Sequence, residues 1–347
     1  MDTPCSGAIS TVDHGLSASI SALHPDIIQT HILTRLDGPT LASAGCASAQ
    51  LHSLISRDQT LWSNICQSTW PSTRSPRVRQ VISEFRGGHR SFFSDSFPLI
   101  TTSSAASGGG DNLDRTPELI SAVDFHYRGE LIFSKVVEAE TASGWFRCSP
   151  FRVDLLHPKD VVQTRIPYPS GDDEDACRNL AEDLTVSWIV IDPSGRRAMN
   201  LSSHRPVSVQ RHWLSGEVHV RFKSVLAAGE RGSSSELVTC GVVVTCGVSQ
   251  GGELLQVREA CLIVEDMDGM QLKGKDSLVI LRRALESKRV NSGRREMEGK
   301  KRYEDYLKRK RERQERKARM EGALDILSAS LIGLSTVFSI FWVTMCR

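Results

Sequence analysis

The sequence lacks the short motifs that accompany the common phosphate and metal sites. Its 347 residues contain no Walker-type phosphate loop and no H-E-x-x-H zinc motif. The run GGGD at residues 108–111 has neither the strand before it nor the helix after it that a dinucleotide-binding loop requires. These absences predict a protein with no catalytic residues and no cofactor.

Disulfide and zinc spacings are missing as well. The nine cysteines are odd in number, and no pair has the C-x-x-C spacing. Cys240 and Cys246 follow three histidines, but zinc ligands usually come in tighter pairs, so we predict no metal and expect small apolar strand residues instead. An unrecognised enzyme built on His204, His212 and Cys246 is the alternative.

The N-terminus, MDTPCSGAISTVDHG, contains no basic residue and no apolar run, so the sequence predicts no signal peptide there. A chain without such a signal and without paired cysteines is typical of a reducing compartment, in which thiols stay free. A chain of this length predicts about two domains.

The middle of the chain has the sequence pattern of an antiparallel β structure. AVDFHYRGELIFSKVV, with a central Arg-Gly, predicts a hairpin, and EVHVRF alternates so that Val218, Val220 and Phe222 share one face. Further β-like runs are WFRCSPFRVDLL, LTVSWIVID, VTCGVVVTCGV and LLQVREACLIVED. A helix, SLVILRRALES, follows, with Leu278, Leu281 and Leu285 on one side.

Charge is concentrated near the C-terminal end. Residues 294–319 carry 13 Lys/Arg against 6 Asp/Glu, with acidic-to-basic pairs four residues apart such as Glu298 and Arg302. This pattern predicts a solvated single helix. A nuclear-localisation or nucleic-acid patch is the alternative, but no aromatic residues are interleaved in the manner of nucleic-acid binding, so we predict no nucleic-acid partner.

The last segment, residues 326–346, is uncharged and would span roughly 32 Å as a helix, against a hydrocarbon thickness of about 30 Å. This predicts a tail anchor on the cytosolic face of a membrane, with the endoplasmic reticulum favoured because a thinner bilayer suits a more polar span. A C-terminal helix packed on the protein or a partner, in the cytoplasm or nucleus, is the alternative.

An ordered series of residues near the N-terminus resembles the F-box, the helical module that docks onto the Skp-type adaptor of cullin–RING ubiquitin ligases. The match covers residues 21–66, and the later runs FRGGHRSFFSD and HRPVSVQRHWLSGEV resemble a plant-type F-box protein family. The series consists of Leu23, Pro25-Asp26, Ile28, Ile32-Leu33, Arg35-Leu36, Leu41, Cys46, Ser53-Leu54-Ile55 and Leu61-Trp62.

The resemblance implies a non-catalytic, substrate-recruiting subunit of a Skp–cullin–F-box ubiquitin ligase, with an unknown protein target. Leu54, Leu61 and Trp62 would pack inside the module, whose small size leaves apolar surface for a partner. The residues implied to contact the adaptor are Leu23, Pro25, Ile28, Ile32, Leu33, Leu36 and Leu41.

Two alternatives to this function stay open. The chain departs from the F-box pattern at His24, inserted between Leu23 and Pro25, and at Ile27, where an acidic residue is common. Ala47 and Leu51 replace the more usual Val and Trp/Phe. The inserted His24 and the substituted core positions favour a membrane-tethered scaffold that acts outside a ligase.

The run around Trp188 weakly resembles the β-sandwich of phloem-lectin-type F-box proteins. A glycan site there would use Trp188, Trp213, His204 and Arg205, although buried aromatics and a polar turn explain the pattern more simply.

The expected fold is therefore α+β and multidomain: a small helical F-box, a mostly antiparallel β domain with a C-terminal helix, a long charged helix and a hydrophobic tail helix. The expected segments are a disordered N-terminus (1–20), the F-box (21–70), a connecting region and linker (71–114), a β-rich substrate-binding domain (115–290), the charged helix (291–321) and the membrane tail (322–347).

Overall fold

The protein is α+β, with helices at both ends and antiparallel sheets between them. The computed structural model describes residues 23–100, 116–169, 174–228, 233–234, 236–290 and 295–346. The predicted disordered N-terminus and the predicted linker at 103–112 lie outside the described residues. The contacts within the chain define two compact units, Met1–Ile65 and Cys66–Arg347. We refer to the first as the N-terminal unit and to the second as the sheet unit.

The helices are numbered in chain order. They are α1 (Pro25–Ile27, continued by a π-helical stretch Ile28–Ile32 and a 3₁₀ turn Leu33–Arg35), α2 (Gly38–Ala47), α3 (Ala49–Arg57), α4 (Gln59–Thr69), α5 (Pro76–Ser83), α6 (Gly88–Ser96), α7 (Gly144–Cys148), α8 (Glu174–Asp183), α9 (Gly274–Glu286) and α10 (Arg295–Met345). A further 3₁₀ turn, Pro71–Arg74, joins α4 to α5.

The first helical segment is not a regular α-helix. The backbone N–H of Leu33 donates to the carbonyl of Ile28, five residues earlier, so this turn is wider than an α-helical one. Ile28 and Leu33 are consequently buried on one side, whereas Ile32 is only half-buried. The four-residue spacing of Ile28, Ile32 and Leu36 predicts a single stripe, and the wide turn divides it.

Short polar residues begin the next three helices. The backbone N–H of Thr40 donates to Oδ1 of Asp37 at 3.0 Å, and that of Leu61 donates to Oδ1 of Asp58 at 2.8 Å. The hydroxyl of Ser48 caps α3 in the same way. Such caps satisfy backbone donors that have no partner within the helix, and they fix where each helix starts.

The strands within the described residues all pair antiparallel. They are β1 (Leu99–Ile100), β2 (Glu118–Tyr127), β3 (Glu130–Glu140), β4 (Arg152–Asp154), β5 (Val162–Pro167), β6 (Leu184–Asp192), β7 (Arg197–Asn200), β8 (Ser208–Arg211), β9 (Val218–Ala227), β10 (Leu237–Val248), β11 (Leu254–Glu265) and β12 (Arg289–Val290).

Two large sheets share one hydrophobic core. The four-stranded sheet has the order β3-β2-β6-β7, and the six-stranded sheet has the order β4-β11-β10-β9-β8, with β5 also pairing with β11. Phe125 of the first sheet meets Phe222 of the second edge to face, with ring centroids 6.4 Å apart. The two sheets therefore pack face to face, and α9 joins the same core through Leu278, Leu281 and Leu285.

Several expectations from the sequence are confirmed here. The β2–β3 hairpin turns at Arg128-Gly129, both at positive φ, as a tight two-residue turn requires. Val218, Val220 and Phe222 are all buried. The expected β-like run at WFRCSPFRVDLL is only partly a strand, because its first residues form α7 and only Arg152–Asp154 pair with β11.

Residues 66–100 pack against the sheets. The backbone N–H and the hydroxyl of Ser72 donate to the carboxylate of Asp124 at 2.7 and 2.6 Å, and Ser134 donates to it at 2.7 Å. Asp124 is fully buried, and this burial raises the pKa of its carboxyl, although the hydrogen bonds from Ser72 and Ser134 oppose the shift. In addition, β1 pairs with β12, nearly 200 residues away in the chain.

The side chain of Arg289 forms hydrogen bonds to three elements of the sheet unit. Its guanidinium donates to the carbonyls of Asp95 at the end of α6 (2.8 Å) and Ala198 in β7 (2.9 Å). It also donates to three carbonyls at the C-terminal end of α9, those of Ala284, Leu285 and Ser287. Burial lowers the pKa of Arg289 to about 10, and the nearby Asp95 opposes this shift.

The start of α10 is docked on the sheet unit rather than solvated on all sides. Tyr306 is buried beside Val225 and Met267, and its hydroxyl donates to the carbonyl of Asp266 at 3.2 Å. Arg313 pairs with Asp268 at 3.1 Å, and this hydrogen bond lowers the pKa of Asp268. The charged helix is thus anchored along its first turns, and its predicted Glu298–Arg302 pair is present at 3.0 Å.

The prediction of a membrane anchor at residues 326–346, and with it a place on the cytosolic face of a membrane, is wrong. None of the helices in the described part of the chain is long and apolar enough to cross a bilayer. Hydroxyl groups interrupt the apolar run and lower its hydropathy, because a bilayer-spanning helix needs a nearly continuous apolar stretch. They belong to Ser328, Ser330, Ser335, Thr336, Ser339 and Thr344.

Replacing Arg289 tests the junction of α6, β7 and α9. We expect Arg289→Ala to lower the free energy of unfolding by about 3 kcal/mol, because five carbonyls lose a charged donor in a buried site. Arg289→Lys should recover only part of the loss, since one ammonium cannot match the planar guanidinium. Urea unfolding followed by tryptophan fluorescence measures both changes.

The control is Arg258→Ala. Arg258 forms an exposed ion pair with Glu217 at 3.1 Å, so its removal should cost less than about 1 kcal/mol. Equal losses for the Arg289 and Arg258 variants would show that the Arg289 junction contributes no more than a surface pair.

Candidate functional site

The seven residues predicted to contact an adaptor divide into two groups in the structure. Ile28, Leu33 and Leu41 are buried within the N-terminal unit, each with 1% or less of its surface exposed. The other four reach the surface: Leu23 and Pro25 are exposed, and Ile32 and Leu36 are half-buried. The structure thus brings the first group into the core of the unit. The second group lies at its surface, with Leu23 before the first helical segment, Pro25 and Ile32 within it and Leu36 at its end.

One further apolar residue belongs with the exposed group. Ile27 is 46% exposed and lies in α1, four residues after Leu23, which is 40% exposed and precedes the helix. Ile27 carries no sequence signal for adaptor contact, because acidic residues are common at this position of the F-box pattern. Its exposure identifies it here. We refer to Leu23, Pro25, Ile27, Ile32 and Leu36 as the N-terminal apolar patch.

The core beneath the patch is held by specific polar contacts. The side-chain amide of Gln29 donates to Oδ2 of Asp58 at 2.6 Å, and Asp58 also caps α4, so one carboxylate links the first helical segment to α4. The indole N–H of Trp62 donates to the carbonyl of Ile55 at 3.0 Å. These contacts fix the backbone that presents the patch.

Cys240 and Cys246, the cysteines considered for catalysis or metal binding, are buried in the sheets. Every cysteine in the described residues is free, and burial raises the pKa of Cys240 and of Cys246 to about 12. A thiol at such a pKa stays protonated at neutral pH and is a poor nucleophile and metal ligand. Cys246 lies in the core of the sheets, whereas His204 and His212 are exposed.

Residues 247–251, GVSQG, have the G-x-S-x-G spacing of a hydrolase nucleophile turn. That motif requires a strand-to-helix turn that exposes the serine hydroxyl. Here the segment is the hairpin turn between β10 and β11, and the hydroxyl of Ser249 accepts the backbone N–H of Leu254 at 3.4 Å. At this position the G-x-S-x-G spacing therefore belongs to a β-hairpin turn and does not form a nucleophile turn.

Within the described part of the chain, strand pairing brings together one cluster of possible metal ligands. Asp154 and Cys261 are opposite each other on β4 and β11, and Glu259 lies beside them, with ligand atoms within 4.8 Å of one another. Arg152 already pairs with both carboxylates. Because this guanidinium occupies the position a cation would take, and burial raises the pKa of Cys261 to about 11, the cluster is an ion-pair network.

The two tryptophans considered for a glycan site do not share a surface. Trp188 is completely buried, and its indole N–H donates to the hydroxyl of Ser121 at 3.1 Å. Trp213 is 85% exposed in the turn between β8 and β9. Trp188 is therefore a core residue, whereas Trp213 and Leu214 are exposed apolar residues in the turn between β8 and β9.

Comparisons with known proteins define the class of this chain. It is 52% identical over 313 residues to "Probable F-box protein At2g36090" of Arabidopsis thaliana, covering 90% of this chain and 89% of that protein. It is 44% identical to "F-box protein At2g27310" of the same plant, over 96% of this chain and 98% of the relative. No family model and no solved structure matches the chain.

A third relative, "F-box protein At3g44326" of Arabidopsis thaliana, is 42% identical over 98% of this chain and 96% of its own length. Identities of this size over nearly the whole length require a common fold throughout, in the sheet unit as well as in the helices. The chain belongs to a family of plant F-box proteins.

A pair of alanine substitutions separates the core of the N-terminal unit from the N-terminal apolar patch. We expect Leu33→Ala to lower the free energy of unfolding by about 2–4 kcal/mol, because it removes a buried side chain and leaves a cavity. Ile27→Ala should change it by less than about 0.5 kcal/mol, since Ile27 already faces solvent. Thermal or urea denaturation followed by circular dichroism provides the comparison; similar losses would mean that Ile27 is part of the core.

Proposed function

We propose that this protein is the substrate-recruiting subunit of a Skp–cullin–F-box ubiquitin ligase. The observation that carries the proposal is the identity of 42–52% to F-box proteins over nearly the whole chain. The N-terminal helical unit, residues 21–70 in the sequence interpretation, is the adaptor-docking module. The β-rich region 115–290 is the part that holds the target.

The N-terminal apolar patch is the surface that meets the adaptor. Leu23, which precedes α1, and Ile27, within it, are 40% and 46% exposed, and the exposed Pro25 lies between them in the chain. An exposed apolar group of this kind on a small helical unit gains free energy when a partner covers it, at roughly 25 cal/mol per Å². Ile28, Leu33 and Leu41 act from beneath, because their packing sets the position of the patch.

The chain itself performs no bond chemistry in this role. It holds a target protein close to the ubiquitin-charged enzyme that the cullin assembly recruits, and so it raises the effective concentration of the target lysines. The buried, protonated thiols of Cys240 and Cys246 and the ion-paired carboxylates of Asp154 and Glu259 are consistent with a binding subunit.

Co-purification of the full chain with a plant Skp-type adaptor tests the proposal. We expect a stoichiometric complex for the wild-type chain. Ile27→Asp should raise the dissociation constant at least about tenfold, because it places a charge in an apolar contact. Isothermal titration or surface plasmon resonance measures the change, and circular dichroism checks that each variant is folded.

The matched control is Leu131→Asp. Leu131 is as exposed as Ile27, at 45%, but it lies on β3 of the sheet unit. Adaptor affinity should be unchanged in this variant. If the folded wild-type chain does not bind the adaptor, the ligase role is refuted, and a scaffold outside any ligase becomes the better interpretation.

A further inference from the structure

The second half of α10 carries a regular apolar repeat. Starting at Met320, large apolar residues follow at intervals that alternate between four and three, up to Met345. Every one of them is at least 58% exposed. These eight residues, referred to as the α10 seam, are Met320, Leu324, Leu327, Leu331, Leu334, Phe338, Phe341 and Met345.

The α10 seam continues the face that docks the helix on the sheets. Tyr306 and Arg313 precede Met320 by fourteen and seven residues, so they occupy the same position of the seven-residue repeat. Tyr306 is buried, and Arg313 pairs with Asp268. One helix face is therefore covered by the sheet unit along its first turns and exposed beyond them.

The period of the apolar repeat indicates whether a globular surface or another helix can cover the α10 seam. Apolar residues on a straight helix that packs against a globular surface recur on average every 3.6 residues. A repeat of 3.5 drifts by about 20° per heptad on such a helix, and it stays aligned only when two helices supercoil around each other. The strict repeat from Met320 to Met345 therefore matches another helix of the same period.

We propose that the α10 seam pairs with the α10 seam of a second copy of this chain, in an antiparallel two-helix coiled coil. The available area is sufficient. At roughly 100–150 Å² each, eight largely exposed Leu, Met and Phe side chains offer on the order of 1,000 Å², and a standard interface takes about 800 Å² from each partner. Most positions that flank the seam are small, including Ala323, Ser328, Ser330 and Ser335, and Glu321 and Trp342 lie at its two ends.

Side-chain sizes favour the antiparallel direction. With the two helices centred between Leu331 and Leu334, each phenylalanine faces a leucine, which keeps the thickness of the interface even. A parallel pair would set Phe338 against Phe338 and Phe341 against Phe341. The antiparallel partners are Met320 with Met345, Leu324 with Phe341, Leu327 with Phe338, and Leu331 with Leu334.

Charge favours the same direction. The helix segment before the seam, residues 303–319, carries eight Lys/Arg and four Asp/Glu. A parallel pair would place two such basic segments side by side, whereas an antiparallel pair places them at opposite ends of the coiled coil, more than a Debye length apart. The antiparallel pair also aligns the two helix dipoles favourably.

Sedimentation equilibrium of the full chain tests self-association. We expect the wild type to have twice the 38.3 kDa mass of one chain. Leu331→Glu should weaken the dimer at least about a hundredfold, because it buries a charge in the seam on each helix. The matched control is Ile332→Glu, since Ile332 is equally exposed but lies outside the seam, and it should remain dimeric.

A wild-type mass equal to one chain at all concentrations would overturn the proposal, as would a trimer or tetramer. Equal weakening by Leu331→Glu and Ile332→Glu would refute the seam as the interface. Both variants should keep wild-type affinity for the adaptor, because that contact involves the N-terminal unit. Failure of the dimer and failure of the ligase role are therefore distinguishable.

Disulfide formation tests the direction. Two chains with different tags, one carrying Leu324→Cys and the other Phe341→Cys, are mixed in a Cys346→Ser background and oxidised. The antiparallel dimer brings positions 324 and 341 of the two chains within disulfide reach. We expect the mixed crosslink to predominate; crosslinks joining 324 to 324 and 341 to 341 would show a parallel pair and overturn the antiparallel assignment.

Discussion

The guanidinium of Arg289 joins α6, β7 and α9 within the sheet unit. Its donors reach the end of α6, the edge strand β7 and the last turn of α9, three elements that no local sequence signal connects. The carbonyls at the end of a helix need partners, and here one planar cation binds two carbonyls of α9 and that of its C-cap residue, Ser287. The adjoining pair β12–β1 then ties residues 99–100 to the same place, from which the chain leads to α10.

The two units differ in how completely they bury their apolar residues. The sheet unit encloses its own core, in which Trp188, Phe125 and Phe222 are almost completely buried. The small N-terminal unit buries Ile28, Leu33 and Leu41 but leaves Leu23 and Ile27 in solvent. A domain of that size cannot cover all its apolar surface, so a docking surface is a natural consequence of its size.

The long helix α10 shows how one face can serve two purposes. Tyr306 and Arg313 use it to dock on the sheets, and the α10 seam presents it to solvent. The apolar run at 326–346 is uncharged and of suitable length, and on these grounds alone it predicts a membrane anchor. The described helices include none apolar enough for a bilayer, and the heptad spacing within the run offers a different use of the same residues.

The sequence by itself determined the local features: the α+β class, the β2–β3 hairpin at Arg128-Gly129, the buried alternation of β9 and the F-box family. These depend on turn residues and periodicity, which a short stretch of chain contains. Only the tertiary structure decided that Ile28 and Leu33 share a side, because a π-helical turn replaced the expected spacing. It alone brought Arg289 to Asp95 and Ser72 to Asp124, since contacts between residues far apart in the chain depend on how elements pack, and no local pattern encodes that.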